Sequence, residues 1–240
     1  YLAPIIALAL EQFFHALSFL RKQESRLIRA WIPGQARDDI WIIFWLLVLT
    51  TSLTAIIFSR TEGAWIALPA GLILSGFMIK KYRRIASILT ILTFLTILTF
   101  PPLRTYTLQQ LTFRGDSGKV HVIIWQEALT MLKDHWGLGA GLSGYPTTII
   151  PYHKAAWIEI YQYPHNIFLN FWSEMGLLGL AAFLWLVAVI LYRSFKTNES
   201  YGEMAALLVL LIHGLVDVPY FKNDLAILFW ILGALVVMPR

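Results

Sequence analysis

The sequence predicts an all-α protein, a polytopic transmembrane helix bundle of about seven spans with a long extracytoplasmic loop containing an amphipathic helix. Three observations carry this. Of the 240 residues, 58% are hydrophobic and only 14% charged, too few polar side chains to clothe a globule in water. Several runs of roughly 16 to 27 residues have little or no charge, and at 1.5 Å per residue a helix of that length reaches across a hydrocarbon core about 30 Å thick. A segment in hydrocarbon must also satisfy its own backbone hydrogen bonds, and continuous apolar runs of this length do so as helices rather than barrel strands.

The apolar runs cover residues 1–20, 41–58, 63–80, 85–100, 166–192, 203–217 and 224–239. They divide the chain into a partial N-terminal span with a basic insertion (1–40), three helices (41–100), the long loop (101–164) and three C-terminal helices (165–240). Basic residues in short loops stay on the cytoplasmic side. Lys80, Lys81, Arg83 and Arg84 fill one tight connection without an acid, which assigns that connection to the inside. Residues 21–40, the Tyr192–Lys196 stretch and Arg240 then also fall inside, and the turn at Ser59–Gly63 and the long loop fall outside. Residues 19–39 differ from their surroundings in polarity and read either as a translated repeat element or as an ordinary linker with a Pro33-Gly34 turn. The first residue is Tyr1, with no signal-peptide pattern, as expected of an N-terminally truncated chain. The absence of cysteine removes disulfides and thiol chemistry and leaves the compartment open.

Within the loop, Val120, Ile124, Ala128 and Met131 recur at helical spacing, with Gln126, Thr130, Lys133 and Asp134 on the other side. Such a helix either lies on the bilayer surface with Trp125 at headgroup depth or packs on the bundle. Gly139, Gly141 and Gly144 formally satisfy GxGxxG, but a helix precedes them and Pro146 follows, so a dinucleotide site is not expected. They read instead as a flexible, backbone-exposed turn able to approach a lipid or sugar.

The polar residues of the apolar segments are the candidate site. Arg60 opens the third span, as an interfacial arginine paired with Glu62 or as a phosphate ligand. His165 follows Pro164 at a helix start, and Asn166, Asn170 and Glu174 continue at steps of four, a stripe that must face protein or a watered cavity. Arg60, Arg114 and His165 fall on one membrane face. Guanidinium forks bind phosphate oxygens, and an imidazole can take a proton from a hydroxyl. His213 and Asp217 lie one turn apart, placed either to orient a catalytic group or to cap a helix end. His121, His135 and His153 have no metal-site spacing. Glu174 reads as the one intramembrane charge, and no internal repeat of the transporter kind is evident.

"SRTEGAW", "IWQEALTMLKDHWGLGAGLSGYP", "PHNIFLNFWSEMGLLGLAAFL" and "HGLVDVPYFKNDLAILFWILGAL", in this order from about residue 41 to the end, resemble the O-antigen ligase and O-antigen polymerase family of bacterial envelope glycosyltransferases. The resemblance implies a multi-pass inner-membrane enzyme of lipopolysaccharide and polysaccharide biosynthesis. It would move a glycan from an undecaprenyl-pyrophosphate carrier to a lipid- or glycan-bearing acceptor hydroxyl on the extracytoplasmic face, with no cofactor, no required metal and no nucleic acid. It implies His165 as the catalytic histidine and Arg60 as a pyrophosphate ligand. The second cation is Arg114 or His121, since relatives often have arginine where His121 stands. Ligase, polymerase and protein O-glycosyltransferase share these features. A transporter or flippase of lipid-linked sugars, or an inactive truncated relative, is the alternative.

Overall fold

Ten α-helices make up the described part of the chain in a computed structural model. The described residues are 2–24, 34–59, 61–197, 201–219 and 223–237, so Arg60, Arg240, Pro33 and residues 25–32 of the basic insertion fall outside them. No strand occurs among the described residues. The first four apolar runs become α1 (Ala3–Glu24), α2 (Gly34–Ser59), α3 (Glu62–Met78) and α4 (Arg83–Thr99), with α3 and α4 joined by one 3₁₀ turn at Lys80–Tyr82. The long loop contains α5 (Pro101–Leu111), α6 (Asp116–Asp134) and the single turn α7 (Tyr145–Thr148). The last three runs become α8 (Ile167–Thr197), α9 (Tyr201–His213) and α10 (Asn223–Val237). Ile40–Ser59, Lys80–Thr99 and Ile167–Lys196 are long and apolar enough to cross a membrane, while α1, α3, α9 and α10 contribute shorter apolar helices.

α5 was not expected from periodicity, although its first residues, Pro101 and Pro102, suit the first turn of a helix, where no amide partner is lost. α6 has Asp116 in its first turn and Lys133 in its last, both matched to the helix dipole. Its expected inner face is buried through Ile124, Ala128 and Met131. That face packs with Leu169 and Trp172 of α8, so α6 leans on the protein.

α1, α3 and α9 form the centre. Ala3, Ile6 and Ala9 meet Ala64, Ala67 and Val209 in one cluster. Ala7 meets Ala205, Ala206 and Leu210 in another. Lipid offers no hydrophobic drive between helices, so small residues that let backbones approach supply the packing. Gly71 is the clearest case: a Cβ there would stand 2.8 Å from the Val209 backbone nitrogen. The centre also contains charge that the sequence reading missed. Glu11 and Glu203 are each only 4% exposed, and Glu11 Oε2 accepts the Gly202 backbone N–H at 2.9 Å. A carboxylate from α1 thus occupies the amide end of α9, where a helix has donors to spare and a positive partial charge.

The fifth apolar run departs most from expectation. α8 breaks at Gly176, with φ 69° and ψ −172°. Twelve positions apart on a straight helix, Phe171 and Phe183 would be separated by roughly 18 Å, yet their rings stack with centroids 4.0 Å apart. Phe168 also reaches Phe183, at 6.1 Å. The run is therefore a helical hairpin whose short first arm, Ile167–Met175, folds back beside a long second arm, Leu177–Thr197. From Leu177 to Lys196 the second arm spans about 30 Å, a membrane's hydrocarbon thickness by itself.

Candidate functional site

Where α3 begins, α9 ends and α6 crosses over, the packing leaves a cavity of about 560 Å³. Its wall includes Thr61, Glu62 and Gly63 of the α3 end, Gln110 and Phe113 around the end of α5, and Ser117 and His121 of α6. His165, His213 and Asp217 complete it. Three histidines and two carboxylates from parts of the chain far apart in sequence thus share one chamber, within the size range of small-molecule sites.

His165 is held by its backbone and its neighbours. It does not start the helix: its φ is +47°, a left-handed conformation uncommon for a residue with a Cβ and frequent where a side chain is held for function. Asn166 is the cap instead, its Oδ1 accepting the Phe168 and Leu169 amides at 3.0 and 3.1 Å. Asn166 Nδ2 donates to the Leu215 carbonyl at 2.8 Å, which ties the hairpin to the turn after α9. In that turn the Asp217 amide donates to the His213 carbonyl, and Asp217 Oδ1 stands 3.3 Å from His165 Nδ1. The same oxygen accepts the Val218 amide at 2.7 Å. A carboxylate acceptor places the imidazole hydrogen on Nδ1 and leaves Nε2 for a substrate. Tyr161 and Tyr163 set their ring centroids 4.8 Å from the imidazole. Burial, and then the charge of Asp217, push the Tyr163 hydroxyl upward from its ordinary value, so it stays a neutral donor.

His121 faces His165 with ring centroids 5.7 Å apart. Its Nδ1 lies 2.7 Å from the Ser117 carbonyl, which again assigns the hydrogen to Nδ1 and leaves Nε2 uncommitted. Arg114 is exposed and does not line the cavity, although its neighbour Phe113 does. Arg60 lies outside the described residues, immediately before Thr61 of the wall. His213 is buried against the α3 start, where a Cβ on Gly63 would meet its ring at 3.1 Å.

Two expectations are corrected. Asn166, Asn170 and Glu174 are not the cavity wall. The first arm folds back at Gly176: Asn166 caps it and binds the turn after α9, while Glu174, near the tip, meets the glycine-rich segment of the loop. There the Ser143 amide donates to the Glu174 carboxylate. Nor is that segment a loose turn. The Ala140 amide donates to the Ser173 carbonyl at 2.5 Å, the Leu177 amide to the Gly137 carbonyl at 3.1 Å, and Trp172 Nε1 to the Trp136 carbonyl at 2.8 Å. Gly139 has φ +68° and lies so close to the Trp172 and Ser173 carbonyls that any Cβ would collide with them. Of Gly139, Gly141 and Gly144, Gly141 alone faces open space. The glycines close the hairpin, and the backbone groups released by the break find partners in the loop.

Sequence reasoning passed over the tyrosines and one further pair. Tyr161, Tyr163 and His165 alternate, which in extended chain turns them to one side; that spacing was the available signal. His153, which the sequence marks only as lacking metal-site spacing, has Nδ1 2.9 Å from Glu127 Oε2 and Nε2 2.9 Å from the Ile158 carbonyl. Glu127 Oε1 takes the Lys154 and Ala155 amides at 2.8 and 3.1 Å. This clasp fastens the stretch leading to Tyr161 onto α6, the helix that carries His121.

With this geometry in view, the comparison with known families is specific: the family model described as O-antigen ligase matches residues 45–184. No curated protein matches the chain.

Proposed function

Because the chain belongs to the O-antigen ligase family, we propose that it transfers a glycan from an undecaprenyl-pyrophosphate carrier onto an acceptor hydroxyl, with His165 as the catalytic base. The family and the apolar helices make it a membrane protein acting on lipid-linked glycan. In the proposed arrangement seven spans sit in the inner membrane, with the basic Lys80–Arg84 turn inside and the cavity opening outside. The observation that carries the reading is the pair of imidazoles His165 and His121 in one chamber, each with Nδ1 beside a carboxylate or carbonyl acceptor.

The acceptor hydroxyl gives its proton to His165 Nε2 as its oxygen bonds to the anomeric carbon. The carbon–oxygen bond to the diphosphate breaks with its electron pair on the phosphate, and the anomeric centre inverts. Asp217 fixes the His165 tautomer and stabilises the imidazolium that forms. Arg60 and a second cation hold the leaving diphosphate. His121 suits that second role better than Arg114 because it lines the cavity. His213, Asn166, Asn170 and Glu174 support the site by shaping α9 and the hairpin.

The test uses purified protein in lipid with a lipid-linked glycan and its acceptor. His165→Ala is expected to slow transfer by about 10²–10⁴-fold, the usual worth of a positioned base, and Asp217→Asn to cost a similar amount while leaving donor binding intact. His121→Ala is expected to weaken donor binding more than Arg114→Ala. Equal transfer by wild type and His165→Ala removes the histidine from the mechanism.

A further inference from the structure

The hairpin tip has no use in the proposed transfer, and it exposes apolar side chains from two separate stretches of chain. Leu138 is 87% exposed, Leu178 82%, Leu142 78%, Trp136 61% and Met175 52%. They cannot fold away, because the Gly137 and Ser173 carbonyls and the Trp172 indole pin the loop to the hairpin. We infer that this tip is a lipid-docking surface, seated where the acyl chains of the bilayer meet the headgroups.

Two observations select lipid as the occupant. The first is continuity: beyond Leu178 the second arm exposes Leu184 at 45% and Trp185 at 69%, so the patch extends the apolar face of a helix long enough to cross a membrane. The second is length. An arm of about 20 residues from Leu177 to Lys196 covers about 30 Å. With Arg193 and Lys196 at one edge of the hydrocarbon, Gly176 falls at the other. Trp136 then sits at the depth where indoles concentrate, and Leu138 and Leu142 enter the first layer of acyl chain. A contiguous patch of this kind left in water would be an aggregation surface. The inference needs the membrane location of the chain and not the catalytic assignment of His165.

The chain has no cysteine, so single-cysteine labelling reads one position at a time. Leu138→Cys, Leu142→Cys and the reference Lys133→Cys would be made in the full chain, labelled with an environment-sensitive fluorophore, and reconstituted into vesicles. Each is then quenched with lipid brominated high on the acyl chain and, separately, with aqueous iodide. The expected result is strong bromolipid quenching at 138 and 142, with iodide quenching there several-fold weaker than at 133. Iodide quenching equal to that at 133 would overturn the inference. Shielding from both quenchers would overturn it too, since protein would then cover the tip. All three positions are exposed, so the substitutions remove no core packing, and transfer activity serves as a separate readout of the catalytic reading.

Discussion

Gly176→Ala is the substitution with which the hairpin is best tested. With φ 69° and ψ −172° the residue occupies backbone space that is almost reserved for glycine, and an L-residue there costs about 1–3 kcal/mol. A Cβ would also collide with the Gly137 carbonyl and stand 2.8 Å from the Leu138 backbone. Overpacking of that kind adds about 1–3 kcal/mol, because the obstacle is main chain and cannot rotate away. Together the two effects put about 2–6 kcal/mol against the closed hairpin, enough to raise the population of locally opened molecules by roughly 30-fold at the lower limit. Amide exchange measured by mass spectrometry over residues 136–144 should speed up by at least that factor. Gly141→Ala is the matched control, with φ +83° but open space around the missing Cβ. It incurs only the backbone penalty of about 1 kcal/mol, roughly fivefold in exchange. Equal acceleration by the two variants would refute the argument, since it would mean that Gly176 makes no close contact with the loop.

Two further outcomes follow from carboxylates that accept backbone amides. Burial pushes Glu127 up, but the hydrogen bonds from His153, Lys154 and Ala155, and the charge on His153, outweigh it and hold the carboxyl below its ordinary value of 4.5. A lowered folded-state value contributes stability that is present above the ordinary glutamate range and is lost as the pH falls through the folded value. Acidification below about pH 4 should therefore reduce exchange protection of the Lys154 and Ala155 amides, and Glu127→Gln should show reduced protection already at neutral pH. Equal protection of these amides in wild type and Glu127→Gln at neutral pH would contradict the clasp. At the second carboxylate, which is buried, Glu11→Ala removes the acceptor of the Gly202 amide and should lower the melting temperature by the equivalent of a lost helix cap, about 0.5–2 kcal/mol. Glu11→Gln keeps an oxygen there and should lose less. Equal losses would assign the stabilisation to charge rather than to the hydrogen bond.

Most of the helical plan was legible because long apolar runs leave little freedom: the seven expected runs coincide with helices to within a few residues, apart from the extra turns of α2. The inner face of α6 was readable from Ile124, Ala128 and Met131 for the same reason. The hairpin was not readable, because an apolar run across Gly176 looks the same whether the helix continues or reverses. The backbone angles of Gly176 and the stack of Phe171 on Phe183 distinguish the two, and both belong to the folded packing. The candidate site divides similarly. His165, His121, His213 and Asp217 were singled out as chemistry and share the cavity. Asn170 and Glu174 were assigned to it by helical periodicity, and periodicity stops applying where the helix breaks. The role of Glu11 was hidden because a carboxylate in an apolar run reveals nothing of the amide it meets 191 positions later.

That last contact has a consequence for how the molecule comes into being. A ribosome feeding this chain into a membrane releases α1 long before the amide end of α9. Until then Glu11 has no Gly202 amide to accept, and the alanines of α1 lack their alanine partners on α9. The centre of the molecule therefore cannot close in the order of synthesis. α1 can pack on Leu49 and Ile56 of α2 as soon as that helix follows, but its face for α9 must wait uncovered in the bilayer, exposed to whatever else binds a helix with a carboxylate in its middle. The cavity, whose walls meet only when α3 and α9 are brought together, is among the last things to exist.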